Sequence, residues 1–178
     1  MLEKPNFFVL TGGPGVGKTT LLHALRSRSE LCVEESAREV IREQLETGGR
    51  AVPWIDPAAF AEATAARDIA RFDALAGETR RVFFDRGILD SWRANGVAPT
   101  ATLAEALRAR RYNRRVFIAP PWREIYQIDA ERRQDWAEAE ATYGRILKNL
   151  DELGYEPVVL PKTSVDARVA FVLERAVT

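Results

Sequence analysis

Phe7-Phe8-Val9-Leu10-Thr11-Gly12-Gly13-Pro14-Gly15-Val16-Gly17-Lys18-Thr19-Thr20 joins an apolar run to a glycine-rich turn, and Leu21-Leu22-His23-Ala24-Leu25 carries the chain on with helical periodicity. Strand, turn and helix come in the order that a phosphate cradle needs. The spacing Gly12-x-x-x-x-Gly17-Lys18-Thr19 is the P-loop, or Walker A, pattern. From Gly12 through Gly13, Pro14, Gly15 and Val16 to Gly17, the loop can turn its backbone N–H groups inward, and the helix that follows adds the positive end of its dipole. Lys18 is placed to reach the β- and γ-phosphates, the Thr19 hydroxyl to ligand Mg²⁺, and Thr20 to stand in the first turn of the helix. An ordinary glycine turn before a helix is the competing reading. The flanking elements count against it, and so does a lysine at this position in a chain whose basic residues are mostly arginine. A nucleoside triphosphate is the expected ligand.

A length of 178 residues suits a single domain, 1–178, with one core. The 26 basic and 26 acidic residues balance, which argues against a nucleic-acid-binding surface. The single cysteine, Cys32, has no internal partner and sits in the apolar run Leu31-Cys32-Val33, as a buried small hydrophobe would. The single histidine, His23, falls inside the first helix and reads as a packing or surface residue. No signal-peptide pattern precedes Pro5, and no apolar run approaches the ~20 residues of a membrane span, so the expectation is a cytoplasmic protein without a membrane partner.

Strand-like runs stand at Phe7–Thr11, Leu31–Glu34, Val82–Asp85, Val116–Ala119 and Pro157–Leu160, each nearly continuous in apolar residues, as strands buried on both faces are. Ser36-Ala37-Arg38-Glu39 and Thr102-Leu103-Ala104-Glu105 read as capping boxes, and Asp56-Pro57 as a cap before a first-turn proline. Trp136, Ala139, Tyr143, Ile146, Leu150 and Leu153 mark a long helix ending at Gly154, and Val165, Val169, Val172, Leu173 and Ala176 mark a last helix from about Ser164. Alternation of strand and helix predicts a three-layer α/β fold with a five-stranded parallel sheet. Numbered along the chain, the strands are expected in the order 2-3-1-4-5. The segment 47–55 is a loop, in which Trp54 either closes over a substrate or plugs the loop onto the domain.

In such a sheet, ligands gather at the carboxyl ends of the strands. The second run ends at Glu34-Glu35, with Arg38 one turn on; the third ends at Asp85-Arg86-Gly87. Asp85 reads as the Walker B acid that holds Mg²⁺, or as a helix cap, and Arg86 as a phosphate or acceptor ligand. Glu35 fits two roles: general base for an acceptor hydroxyl, or partner of a helix dipole. After the fourth run, Arg123 and Arg132 are candidates for a lid that neutralises phosphate charge over about 120–135. Nine residues apart, they share a face only if the helix breaks between them, where Asp129 could cap a new one. Arg108, Arg110, Arg111, Arg114 and Arg115 read as a solvated face.

Taken together, Gly-Gly-Pro-Gly-Val-Gly-Lys-Thr-Thr at 12–20, Glu35-x-x-Arg38, Trp54-x-Asp56-Pro57, Phe84-Asp85-Arg86-Gly87 and Pro120-Pro121-Trp122-Arg123-x-x-Tyr126 resemble a bacterial family of small AAA-domain ATPases. That layout is similar to nucleoside and nucleotide kinases and to the ribosylnicotinamide kinase group rather than to hexameric AAA+ motors. The resemblance implies ATP and Mg²⁺ at Lys18 and Thr19, Asp85-Arg86 at the metal and acceptor, lid arginines around 123–133, and a base at Glu35. The expectation is a Mg²⁺-dependent kinase for a small, nucleoside- or nucleotide-like acceptor, working as monomer or homodimer. The alternative is a regulatory ATPase or GTPase that acts on a protein partner. No guanine-reading Asn-Lys-x-Asp occurs, which favours adenine.

Overall fold

In the computed structural model, residues 1–125 and 136–177 are described, and they fall into two compact units. One holds Pro5–Val33, Arg80–Asp85 and the chain from Tyr112 onward; the other holds Met1–Lys4, Glu34–Thr79 and Arg86–Arg111.

The first unit is built on a parallel sheet of five strands. Along the chain they are β2 (Phe7–Gly12), β3 (Leu31–Val33), β4 (Val82–Asp85), β6 (Arg115–Ala119) and β7 (Glu156–Val159); β1 and β5 belong to the other unit. Across the sheet the order is β3-β4-β2-β6-β7, which puts β2 in the middle. Every residue of β2 is buried, so both of its faces need side chains that pack, and its sequence supplies phenylalanines alternately to each. Phe8 lies 5.6 Å from Phe83 and 6.2 Å from Phe117, ring centre to ring centre. Phe7 lies 5.1 Å from Phe84, whose ring meets Tyr112 edge-on at 5.3 Å.

Leu21, Leu22 and Leu25 of α1 (Lys18–Arg26) join Val169 and Val172 of α6 (Val165–Arg175) in one core cluster with Phe8, Phe83 and Phe117. Ser164 caps α6, its hydroxyl accepting from the Ala167 amide. Helix α5 (Trp136–Glu152) buries Ala139 and Leu150 and ends two residues before Gly154, whose φ of 71° suits a glycine. His23 is exposed. Cys32 is half-buried with its thiol directed at the Leu22 carbonyl, and burial pushes its pKa up to about 11.

In the second unit α2 (Ser36–Thr47), α3 (Pro57–Ala74) and α4 (Ala101–Ala109) accompany a short parallel pair, β1 (Leu2–Glu3) with β5 (Arg110–Arg111). Asp56 caps α3 as expected, accepting from the Ala59 amide with Pro57 behind it. Two expected caps are corrected. Helix α4 starts two residues earlier than the Thr102 box allows and is capped by Thr100, which accepts from the Leu103 amide. Helix α2 has Glu35 at its N-cap, and the Ser36 hydroxyl is spent on Asp68 instead. The arginine cluster is not wholly a solvated face either: Arg110 makes two 2.7 Å hydrogen bonds to the Asp73 carboxylate, which holds that acid below the usual carboxylate range. Trp54 is 63% exposed. Among the described residues, no helix is long and apolar enough to cross a membrane.

Candidate functional site

The central strand delivers the glycine loop. At its end Gly12 adopts a φ of 136°, and a Cβ there would meet the Ala119 carbonyl oxygen of the neighbouring strand at 2.6 Å. Only a residue without a side chain lets β2 and β6 close at this point. Gly15 and Gly17 also have positive φ, 72° and 81°, so Val16 stands between two left-handed residues before α1 begins. Lys18, the first residue of α1, is 7% exposed, and its ammonium donates to the carbonyls of Gly12 at 3.0 Å and Gly13 at 2.7 Å. The side chain therefore folds back over the loop, which keeps a cation at the mouth of the turn. Thr19 and Thr20 follow it on exposed positions of the first turn.

Asp85 ends β4 directly beside Leu10 of β2, and it is 4% exposed. A buried carboxylate in register with the strand that enters the cradle suits a metal held by oxygen ligands, and the Thr19 hydroxyl supplies a second oxygen in the same unit. These residues fit a nucleotide with Mg²⁺. Trp122 and Arg123 lie just past β6, and the Arg123 guanidinium stacks 4.7 Å from the Trp136 ring centre. Arg132, and the part 126–135 of the lid expected over about 120–135, lie outside the described residues.

The second unit carries the other candidates. Glu35, two residues past the end of β3 in the sequence, accepts from Arg86 Nε at 2.8 Å and from Arg38 Nε at 3.3 Å. Arg86 also faces Asp90 at 3.6 Å, and Asp90 in turn accepts from the Gly87 amide at 2.9 Å. Arg86 does this from a left-handed backbone, φ 66°, a conformation that costs a non-glycine residue about 1 kcal/mol and recurs at functional positions. Candidate base and candidate phosphate ligand are thus ion-paired.

Sequence reasoning missed the group behind them. Asp68 of α3 is 7% exposed and accepts from the Ser36 hydroxyl at 2.5 Å. Arg71, one turn on, donates to the same hydroxyl at 3.0 Å, to the Glu34 carbonyl at 2.5 Å and to Glu39 at 2.6 Å. Burial, aided by the charges of Asp90 and Glu35 and opposed by Ser36 and Arg71, pushes the Asp68 pKa up to about 7. A signal existed: Ala65, Asp68 and Phe72 share one buried stripe of α3, so an acid interrupts an apolar face.

The raised pKa has a stability consequence. The folded protein keeps a proton on Asp68 that the unfolded chain loses near pH 4, so this group lowers stability as pH rises from about 4 to about 7 and no further above it. The slope within that window approaches about 1.4 kcal/mol per pH unit. Asp68→Asn removes the titration and keeps an acceptor for Ser36. Urea unfolding at pH 5 and pH 8 should show the variant gaining on the wild type by a few kcal/mol between the two; equal changes would mean that Asp68 ionises normally.

A family model described as "AAA domain" matches residues 7–168. A search of curated proteins returned no match. Among solved structures, the chain is similar to thymidylate kinase from Ehrlichia chaffeensis, with a TM-score of 0.60 and 14% identity over 95% of this chain and 96% of that one. It is similar to shikimate kinase from Acinetobacter baumannii, with 0.54 and 17% over 96% and 92%. Deoxyadenosine kinase from M. mycoides gives 0.53 and 15% over 95% and 97%. At these identities the likeness establishes a shared fold, that of P-loop kinases. By the extent of the family match, the chain belongs to the AAA-domain family.

Proposed function

We propose that the protein, as one P-loop domain over 1–178 with a lid near 120–135, is a Mg²⁺-dependent kinase that moves the γ-phosphoryl group of ATP to a hydroxyl of a small, nucleoside- or nucleotide-like acceptor. The observation that carries this reading is the buried Lys18 ammonium folded onto the Gly12 and Gly13 carbonyls at the end of the central strand. An ammonium held over the glycine turn at the start of α1 is placed for phosphate oxygens.

In this reading the loop amides and Lys18 bind the β- and γ-phosphates, and Thr19 and Asp85 hold the metal. Mg²⁺, when bound, neutralises charge that develops on the phosphate oxygens. Glu35 takes the acceptor's proton while the acceptor oxygen bonds to the γ-phosphorus and the bond from phosphorus to the departing ADP oxygen breaks. Arg86, Arg123 and Arg132 balance phosphate charge. The deoxyadenosine kinase and thymidylate kinase likenesses support the acceptor class, and the mixed charge of the chain supports a small molecule over nucleic acid.

The test is ATP turnover with a panel of nucleosides, nucleotides and pyridine ribosides. One class should raise turnover well above the acceptor-free rate. Stimulation by a protein partner, with none by any member of the panel, would establish the regulatory ATPase instead. With the acceptor in hand, Glu35→Gln should slow transfer by roughly 10²-fold or more at unchanged ATP affinity, because a general base contributes on the order of 10²–10⁴. Transfer at the wild-type rate would leave Glu35 with its ion pair to Arg86 and no part in proton transfer.

A further inference from the structure

Helix α6 sends a cation into the wall of the phosphate loop. Arg168 is 3% exposed, and its Nη1 donates to the Val16 carbonyl at 3.2 Å. Its guanidinium carbon lies 5.9 Å from the Trp122 ring centre, and among the described residues its Nε has no hydrogen-bond partner. Among the described residues no carboxylate pairs with it, and burial holds its pKa below the usual guanidinium range. Taking such a charge out of water is costly, and one carbonyl with a ring at that range does not repay it. Among the described residues this buried positive charge has no counter-ion.

The carbonyl it grips belongs to Val16, between the two left-handed glycines that shape the turn. An anion seated among the loop amides would lie in the same low-dielectric surroundings as this guanidinium. We infer that Arg168 is a positioning residue of the nucleotide site, fixing the loop through the Val16 carbonyl and finding its counter-charge when a polyphosphate enters the cradle. The inference rests on the loop's reading as a nucleotide cradle. It assigns to α6, 152 positions from Val16, a part in binding that no loop motif contains. It also makes an asymmetric demand: the arginine destabilises the empty protein and strengthens the complex.

Arg168→Met keeps the length of the side chain and removes the charge; Arg168→Lys keeps the charge. Melting temperatures without ligand and calorimetric Kd values for magnesium ATP and for inorganic pyrophosphate are measured on the full chain. The methionine variant should melt at the wild-type temperature or above and bind both ligands about tenfold or more weakly, with the lysine variant binding more tightly than the methionine one. A lower ligand-free melting temperature in Arg168→Met, failure of that variant to fold, an unchanged Kd, or a lysine variant no better than methionine overturns the inference. Failure of the nucleotide reading itself looks different, because the wild type then binds neither ligand.

Discussion

Replacing Lys18 by alanine is expected to weaken magnesium ATP binding by roughly a hundredfold or more while moving the ligand-free melting temperature by only a few degrees. Each hydrogen bond from an ammonium to a phosphate oxygen contributes about 1.5–3 kcal/mol, and Lys18 is placed to make two of them. In the ligand-free protein the same ammonium is spent on two carbonyls of its own loop. Truncation there also removes a buried charge, so gain and loss largely cancel. Calorimetry paired with thermal melts separates the two effects. Undiminished affinity would move the phosphates away from this loop altogether.

Gly12→Ala should do the reverse, attacking the fold first. The new methyl group would stand 2.6 Å from the Ala119 carbonyl oxygen, a backbone atom of a central strand that cannot swing aside, on a residue whose φ is 136°. Strain from the dihedral alone costs about 1–3 kcal/mol, and displacing β6 from β2 adds to it, for a total of roughly 3–5 kcal/mol. In a chain of this length that lowers the melting temperature by on the order of 10 °C. Gly13, where the same construction meets nothing within 4 Å, is the control: Gly13→Ala should cost far less. Equal losses in both variants would show that loop flexibility, not the strand contact, sets the requirement for glycine.

The parts legible in the sequence were those whose signal is local. Phe7 to Thr20 spells strand, turn and helix within fourteen positions, and the protein folds so. Asp56-Pro57 likewise announces α3 from two adjacent residues. What escaped notice depends on partners far along the chain. Ser36 looked like a cap because Glu39 follows it three residues later, yet its hydroxyl is claimed by Asp68, 32 positions away. Arg168 sits in an unremarkable Asp-Ala-Arg-Val, and only the folding of α6 against the loop gives it meaning. Its position four residues before Val172 on the buried stripe was the available clue. Tertiary burial, not local propensity, decides such cases.

The two compact units are interleaved along the chain, which passes from one to the other at 4/5, 33/34, 79/80, 85/86 and 111/112. Two of those junctions fall at Glu34 and between Asp85 and Arg86, beside the very residues proposed to act on the acceptor and the metal. No single cut can therefore release either unit as a continuous fragment, and neither can be moved between relatives as a cassette. Recombination that moved the unit carrying Glu35 and Arg86 would have to exchange 1–4, 34–79 and 86–111 together, with Gly12 to Thr20 left untouched.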